Sequence, residues 1–354
     1  MKTTTRTVLS VSTLLLVSVV VMSATDRLAN KTLRVIPQSG GGTIVYERVP
    51  DGSLPWPTID IWSVNADGTD DTALTHDGHS HSPSWSPDGR HILFVHDDAL
   101  QKPDPYGPYR EDEEFRTHHP VELYEMNRGG SDPHLLLRFE PLIDGATWSP
   151  NGKKIIIQAA ARPPLGICLF LWSPEERVEP RLLFPYPAAW PAWSSNGKKI
   201  LFVKRYGRRL SSPFVADADG SHVAPLKHDP GSEIFEPAWS PDGKRIAYAQ
   251  DDAPPDRTSQ IFVMNADGSG VRQLTHDPDW EYCRHPSWSP EGKRIAFGCV
   301  STSAPCSGIL AGQGASPAQP SCVRRLFVIS PDNPPESLMP LADHDGADPA
   351  FAPK

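Results

Sequence analysis

Helical periodicity is missing from this chain. No long segment keeps apolar residues at a 3.6-residue spacing, and 39 prolines would interrupt most helices. Basic charge is in deficit as well: 34 lysines and arginines face 43 aspartates and glutamates, a net charge of −9. That balance argues against nonspecific nucleic-acid binding, which needs a basic face. No Gly-x-Ser-x-Gly elbow occurs. Gly78-His-Ser-His-Ser82 fails that pattern at its last position and reads as a loop. No Cys-x-x-Cys pair occurs among the five cysteines, whose irregular spacing gives little support for zinc.

What the chain has instead is one recurring phrase. It runs PSWSPDGRHILF from Pro83, ATWSPNGKKIII from Ala146, PAWSSNGKKILF from Pro191, PAWSPDGKRIAY from Pro237 and PSWSPEGKRIAF from Pro286. Subtracting the numbers of the anchoring tryptophans (Trp85, Trp148, Trp193, Trp239, Trp288) gives spacings of 63, 45, 46 and 49. Each phrase reads as a strand, a tight turn and a second strand. In Ser-Pro-Asp-Gly, proline presets φ, aspartate tolerates the second central position and glycine accepts positive φ. A third strand ends in a polar turn, as in IDIWSVNADG from Ile59 and QIFVMNADG from Gln260. A fourth carries Leu74-Thr75 or Leu274-Thr275. Four short strands per unit with Asn/Asp-Gly turns describe a propeller blade, and the tryptophans read as packing between blades.

The two ends complete each other. Asp348-Pro-Ala-Phe-Ala-Pro-Lys354 begins the phrase and stops. Gly42-Thr-Ile-Val-Tyr-Glu47 matches its missing half. The expected fold is therefore all-β: a six-bladed β-propeller over 42–354, its closing blade shared between N-terminal and C-terminal strands, with no long open edge.

These phrases, xPxWSPDGxxIxF and IFVMNADGSG followed by Leu-Thr, resemble the repeats of the TolB-like (PD40, WD40-like) six-bladed propellers. The resemblance covers roughly Gly42 to Lys354. It implies the fold more than a function, because such propellers serve many roles. TolB proper carries an α/β domain before its propeller, and here a short leader is expected in its place.

Lys2 and Arg6 precede an apolar run from Val8 to Met22 that ends in Ser23-Ala24. That is the pattern of a signal peptide over 1–24, followed by a flexible leader over 25–41. Membrane contact is expected only through an uncleaved anchor, and a monomer that is periplasmic or secreted is expected. Export favours cysteine pairing. Cys283 and Cys299 flank one hairpin and would pair with each other, leaving Cys306 with Cys322; Cys299–Cys322 is the competing arrangement. Cys168, in an apolar strand, reads as a buried thiol.

With the strands of a blade called A to D, the A–B and C–D turns share one face. The long B–C loops (Asp97 to Pro120, Asp251 to Ser259, Ser301 to Val323) and the irregular D–A connections share the other. Function sits more often on elaborated loops over a rigid scaffold. Residues entering the A strands on that face are His81, Asp144, Trp190, Glu236, Arg284, His285 and Asp348. They are the candidate ligand-binding ring at the channel mouth. A sharper version uses His79, His81, His285 and Glu236 as ligands of a divalent metal. The repeated His76, His228, His276 and His344 read as structural, with the aspartate after His276 closing a turn. The sequence as a whole points to an exported, noncatalytic propeller without a cofactor, recognising a protein segment or cell-envelope ligand. A metal-assisted lyase or hydrolase acting on a sugar or lactone is the alternative.

Overall fold

The computed structural model describes residues 42–48, 59–97, 121–139, 142–161, 166–176, 178–205, 211–229, 233–251, 258–301, 324–335, 338, 340–341 and 347–353. All of them belong to one compact unit, Gly40–Lys354. The expected signal peptide, the leader, most of each long B–C loop, Cys306 and Cys322 lie outside the described residues.

The strands form six antiparallel sheets. Blade 2 is Ser80–Trp85 (β4), His91–Asp97 (β5), Val121–Asn127 (β6) and His134–Arg138 (β7). Blade 3 is Leu142–Trp148 (β8), Ile155–Ala161 (β9), Gly166–Trp172 (β10) and Arg181–Leu182 (β11). Blade 4 is Ala188–Trp193 (β12), Lys199–Arg205 (β13), Ser211–Asp217 (β14) and Ala224–Pro225 (β15). Blade 5 is Glu233–Trp239 (β16), Arg245–Asp251 (β17), Ser259–Asn265 (β18) and Arg272–Gln273 (β19). Blade 6 has Trp280–Trp288 (β20), Ile295–Ser301 (β21) and Arg324–Ile329 (β22), and among the described residues its fourth position shows a single bridge from Phe327 to Pro340.

Blade 1 is built from both ends of the chain. Its B, C and D strands are Thr43–Arg48 (β1), Asp60–Asn65 (β2) and Thr72–Ala73 (β3); its A strand is Ala347–Phe351 (β23). Ile44 pairs with Phe351 and Val45 with Ala350, which is the shared closure read from the two half-phrases.

Strand alternation distributes the core. Successive side chains of a strand point to opposite faces, so each B strand serves two blade interfaces at once. Ile44 and Tyr46 pack toward blade 6 with Ala296 and Leu326, while Val45 packs toward blade 2 with Trp85 and Ile92. The same division repeats around the ring and gives one buried cluster at each of the six interfaces. Turn chemistry repeats too. Ser86 Oγ donates to Asp88 (2.6 Å) and accepts from the His91 amide (2.9 Å), and Gly89 takes φ 65°. The Leu-Thr signal marks the end of the D strand: Thr75 and Thr275, both buried, accept the amides of Ile61 and Ile261 at 2.9 Å. Asp77 and Asp277 close their turns through side-chain bonds to the amides of His79 and Asp279.

The repeat tryptophans are not equivalent in one respect. The indoles of Trp85 and Trp288 donate to the A-strand carbonyls of Ala350 and Ala238 in the preceding blade, each at 3.1 Å. The Nε1 atoms of Trp148, Trp193 and Trp239 are buried without a partner. Trp288 and Trp193 are otherwise alike, at 7% and 9% exposure. Trp288→Phe forfeits a hydrogen bond, whereas Trp193→Phe removes an already orphaned donor. The first substitution is expected to cost about 1 kcal/mol more than the second in denaturant unfolding. Equal costs would show that the indole bond contributes nothing.

Candidate functional site

The A strands carry the site because four of them are bent at the same place. In four blades the residue before the phrase proline adopts positive φ: Ser82 at 53°, Trp190 at 53°, Glu236 at 49° and His285 at 55°. Proline disfavours the right-handed helical region for the residue before it. Here that residue goes left-handed, and the A–B register slips at the same point. Such a bulge re-aims a side chain. A non-glycine residue held this way costs about 1–3 kcal/mol.

Three of these conformations are held across a blade boundary. The Ser82 amide donates to Glu47 Oε1 (2.5 Å), the Trp190 amide to Gln158 Oε1 (2.5 Å) and the His285 amide to Glu236 Oε2 (2.8 Å). Gln158 also donates through Nε2 to Asp144, and Ser82 Oγ donates to the Asp144 carbonyl (2.7 Å). The chain of bonds Glu47–Ser82–Asp144–Gln158–Trp190 therefore spans blades 1 to 4, and Glu236–His285 joins blades 5 and 6.

These side chains converge on a central cavity of about 340 Å³. Ser82, Asp144, Gln158, Trp190, Glu236 and His285 contribute its polar and aromatic wall, and Pro83, Pro191, Pro237, Pro286 and Pro349 its apolar wall, so all six blades contribute. The A strands enter on the face where the B strands end. The Asp97 amide at the end of β5, for example, donates to the His79 carbonyl beside the start of β4.

The expected ring divides in two. Asp144, Trp190, Glu236 and His285 line the cavity. His81 and Arg284 do not: they sit one position earlier, on the other side of the bulge. His81 turns its Nδ1 to Ser82 Oγ (3.0 Å). Arg284 turns outward, with Nη2 2.6 Å from Asp251 and its guanidinium 3.9 Å from the centre of the Phe235 ring. Asp144 remains in the wall because blade 3 lacks the phrase proline and slips register one residue sooner, between Ile143 and Gly145. The Asp348 side chain lies outside the described residues. Ser82 and Gln158 were missed. Ser82 occupies the pre-proline position and was therefore readable from the repeat, whereas Gln158 sits in a B strand with no signal.

The mouth between blades 5 and 6 is acidic. His285 Nε2 lies 3.5 Å from Glu236 Oε1, with side-chain exposures of 38% and 11%. Burial pushes the Asp251 carboxyl above its ordinary range; the Arg284 guanidinium and a bond from Ser259 oppose this, and the Glu233 and Glu236 charges add to it. His79 is engaged elsewhere, its Nδ1 3.1 Å from the Asp97 carbonyl and its ring 5.7 Å from that of His96. Among the described residues no group of three or more His, Cys, Asp or Glu side chains is placed to hold a metal ion. His79, His81, His285 and Glu236 thus do not gather into the ligand set expected from the sequence; only His285 and Glu236 meet. Of the two cysteine arrangements, the structure contains Cys283–Cys299, and Cys168 is a buried thiol outside that bond, its Sγ 3.9 Å from the Tyr186 carbonyl.

The strain at His285 is testable. Glycine adopts positive φ freely and alanine does not. His285→Gly keeps the amide bond to Glu236 and is expected to be more stable than His285→Ala by about 1 kcal/mol. Matched denaturation midpoints for the two variants would mean that residue 285 is not left-handed in solution.

Six four-stranded or nearly four-stranded sheets around a polar-walled centre define a six-bladed β-propeller. Residues 109–309 match the family model described as "TolB beta propeller domain" (PD40), and the chain belongs to that family. Among curated proteins it is similar to the "Uncharacterized peptidase YuxL" of Bacillus subtilis (strain 168), 23% identical over 206 residues, covering 58% of this chain and 24% of that protein. This chain thus spans about a quarter of the length of that relative. Among solved structures, TolB from Acinetobacter baumannii superposes with a TM-score of 0.63 at 18% identity, over 88% of this chain and 67% of that one. A putative TolB from Agrobacterium tumefaciens gives 0.59 at 17% identity, over 87% and 91% of the two chains. A chain of a nidogen/laminin complex gives 0.57 at 8% identity, over 88% and 98%. At these identities the likeness is one of fold.

Proposed function

We propose that this protein is an exported, noncatalytic binding propeller that recognises a protein segment or cell-envelope ligand at the channel mouth. The observation that carries the reading is the set of four left-handed residues around the cavity. Strain of that kind is retained where a surface must be held ready for a ligand. Rigid walls reduce the ordering cost of binding. A cavity of about 340 Å³ lies within the range of small-ligand sites and would admit a side chain or a sugar ring. The Cys283–Cys299 disulfide supports export, since such bonds persist in oxidising compartments. No helix among the described residues is long and apolar enough to cross a membrane.

The full chain, immobilised, would be challenged with solubilised envelope fractions beside two variants. Glu236→Gln/His285→Ala alters the mouth, and Lys244→Ala alters an exposed residue of the opposite rim. Capture lost only in the mouth variant is the expected result. Equal capture by all three proteins would remove the channel mouth as the binding site.

A further inference from the structure

A second cavity lies on the opposite face, at the A–B turns of blades 2 and 3. It has a volume of about 440 Å³ and is lined by Asp88, His91 and Glu125 of blade 2 and by Trp148, Asn151 and Gly152 of blade 3, among others. The repeat itself shows what belongs there.

At the interface of blades 5 and 6 the same place is filled by the chain's own arginine. Arg245 is the residue just before the B-strand isoleucine that pairs with the phrase tryptophan. Its guanidinium lies 4.8 Å from the centre of the Trp288 ring in the next blade. It donates to the Gly292 carbonyl (3.2 Å) and to Asp332 in the C–D turn (2.7 Å). An aromatic face, a turn carbonyl and a carboxylate thus surround one guanidinium, which is the recognition chemistry of that group.

Blade 3 keeps the aromatic face and the turn carbonyl, and carries a carboxylate at the same repeat position. Trp148 corresponds to Trp288, and Gly152 to Gly292 with the same φ of 69°. The C–D turn Ser173-Pro-Glu175 corresponds in sequence to Ser330-Pro-Asp332: Trp172 pairs with Ile155 as Ile329 pairs with Ile295, so Glu175 holds the repeat position of Asp332, in a short 3-10 turn exposed at the rim and just outside the residues that line the cavity. Glu125 adds a second carboxylate to the wall. Among the described residues, what differs is the filler. The position of Arg245 is held in blade 2 by His91, whose shorter side chain ends before the guanidinium position. Trp288 is 7% exposed beneath its arginine, whereas Trp148 is partly exposed at the cavity.

We propose that this cavity is a guanidinium-binding site, shaped for an arginine side chain that comes from outside the chain. The guanidinium would lie over the Trp148 ring, donate to the Gly152 carbonyl and pair with Glu175 and Glu125. The site is separate from the channel mouth and stands or falls without it.

The test follows the indole N–H resonance of Trp148 in the ¹⁵N-labelled full chain, assigned by its disappearance in Trp148→Phe. N-acetyl-L-arginine amide is the probe, and N-acetyl-L-citrulline amide is its neutral counterpart of the same shape. A saturable shift with a half-point of about 1–10 mM is expected from the arginine compound only. Agmatine distinguishes the source: a response equal to that of the amide assigns the site to any guanidinium, and a weaker one assigns it to peptide arginine. His91→Arg supplies the missing group from within and is expected to weaken the response at least about tenfold. Glu175→Gln, at an exposed position where folding is not at stake, is expected to weaken it about two- to fivefold. No saturable shift, an equal shift from citrulline, or an undiminished response in a folded His91→Arg protein would each overturn the proposal.

Discussion

Removing residues 347–354 is expected to abolish cooperative folding. The eight residues contain β23, which among the described residues is the only strand covering one edge of β1. Ile44, Val45 and Tyr46 are at most 2% exposed while that cover is in place. Without it the ring has an open sheet edge and an uncovered apolar face, both of which favour aggregation. Further bonds go with the strand. Trp85 loses the Ala350 carbonyl as its acceptor, and the Ala352 amide no longer donates to Thr43. Phe351, 7% exposed, ends the cluster between blades 6 and 1 and lies under Arg294 at 5.9 Å. Phe351→Ala alone is expected to cost about 3–5 kcal/mol. Against a domain stability of about 5–15 kcal/mol, loss of the whole strand leaves little. A synthetic peptide of residues 345–354 added in trans should restore the unfolding transition. An unchanged midpoint in the truncated protein would mean that the ring is closed in some other way.

That closure was legible before any coordinates because the phrase is long enough to be recognised in halves. Ile44-Val-Tyr matches Ile246-Ala-Tyr, and Pro349-Ala-Phe matches Pro237-Ala-Trp, so the two fragments name their own partners. Turn chemistry was legible for a similar reason: Ser-Pro-Asp-Gly has few conformations open to it. Blade 6 was read less well. Among the described residues its outer strand consists of one bridge at Pro340 and the Leu341 amide donating to the Leu326 carbonyl.

The candidate site was half legible. Sequence spacing placed His81 and Arg284 in one ring with Trp190, Glu236 and His285, as though the A strand were regular. The bulge before the proline separates them, sending the pre-proline side chain to the channel and leaving the one before it out of the cavity wall. Arg284 consequently serves Asp251 and Phe235. A proline in the text announces a restricted neighbour, but it does not say which way that neighbour turns; the cross-blade bonds from Glu47, Gln158 and Glu236 decide that. The guanidinium cavity was not legible at all. It depends on the residue at one repeat position, His91, facing a tryptophan in the next blade, and that facing exists only in the assembled ring.

The Cys283→Ala/Cys299→Ala protein is expected to lose about 3 kcal/mol of stability, the second large effect. The bond closes a loop with a sequence separation of 16, and a loop of about that length corresponds to roughly 3 kcal/mol in the chain-entropy account. Its position makes the consequence local as well as global. β20 slips register twice, between Glu281 and Arg284 and again between Arg284 and Ser287, and carries two left-handed residues, Tyr282 and His285. The disulfide ties the middle of this irregular strand to β21, one residue from Arg284 and two from His285. Both sulfurs are buried, at 0% and 1% exposure, so reductant reaches them only when blade 6 opens. Native protein held in dithiothreitol without denaturant should therefore keep the bond for hours, read by alkylation of released thiols, while the double variant unfolds at a lower denaturant concentration from the start. If the double variant unfolds at the same denaturant concentration as the parent, the bond adds nothing to stability. If it unfolds earlier yet captures envelope material as well as the parent does, β20 holds its bulges by the Glu236 bond alone.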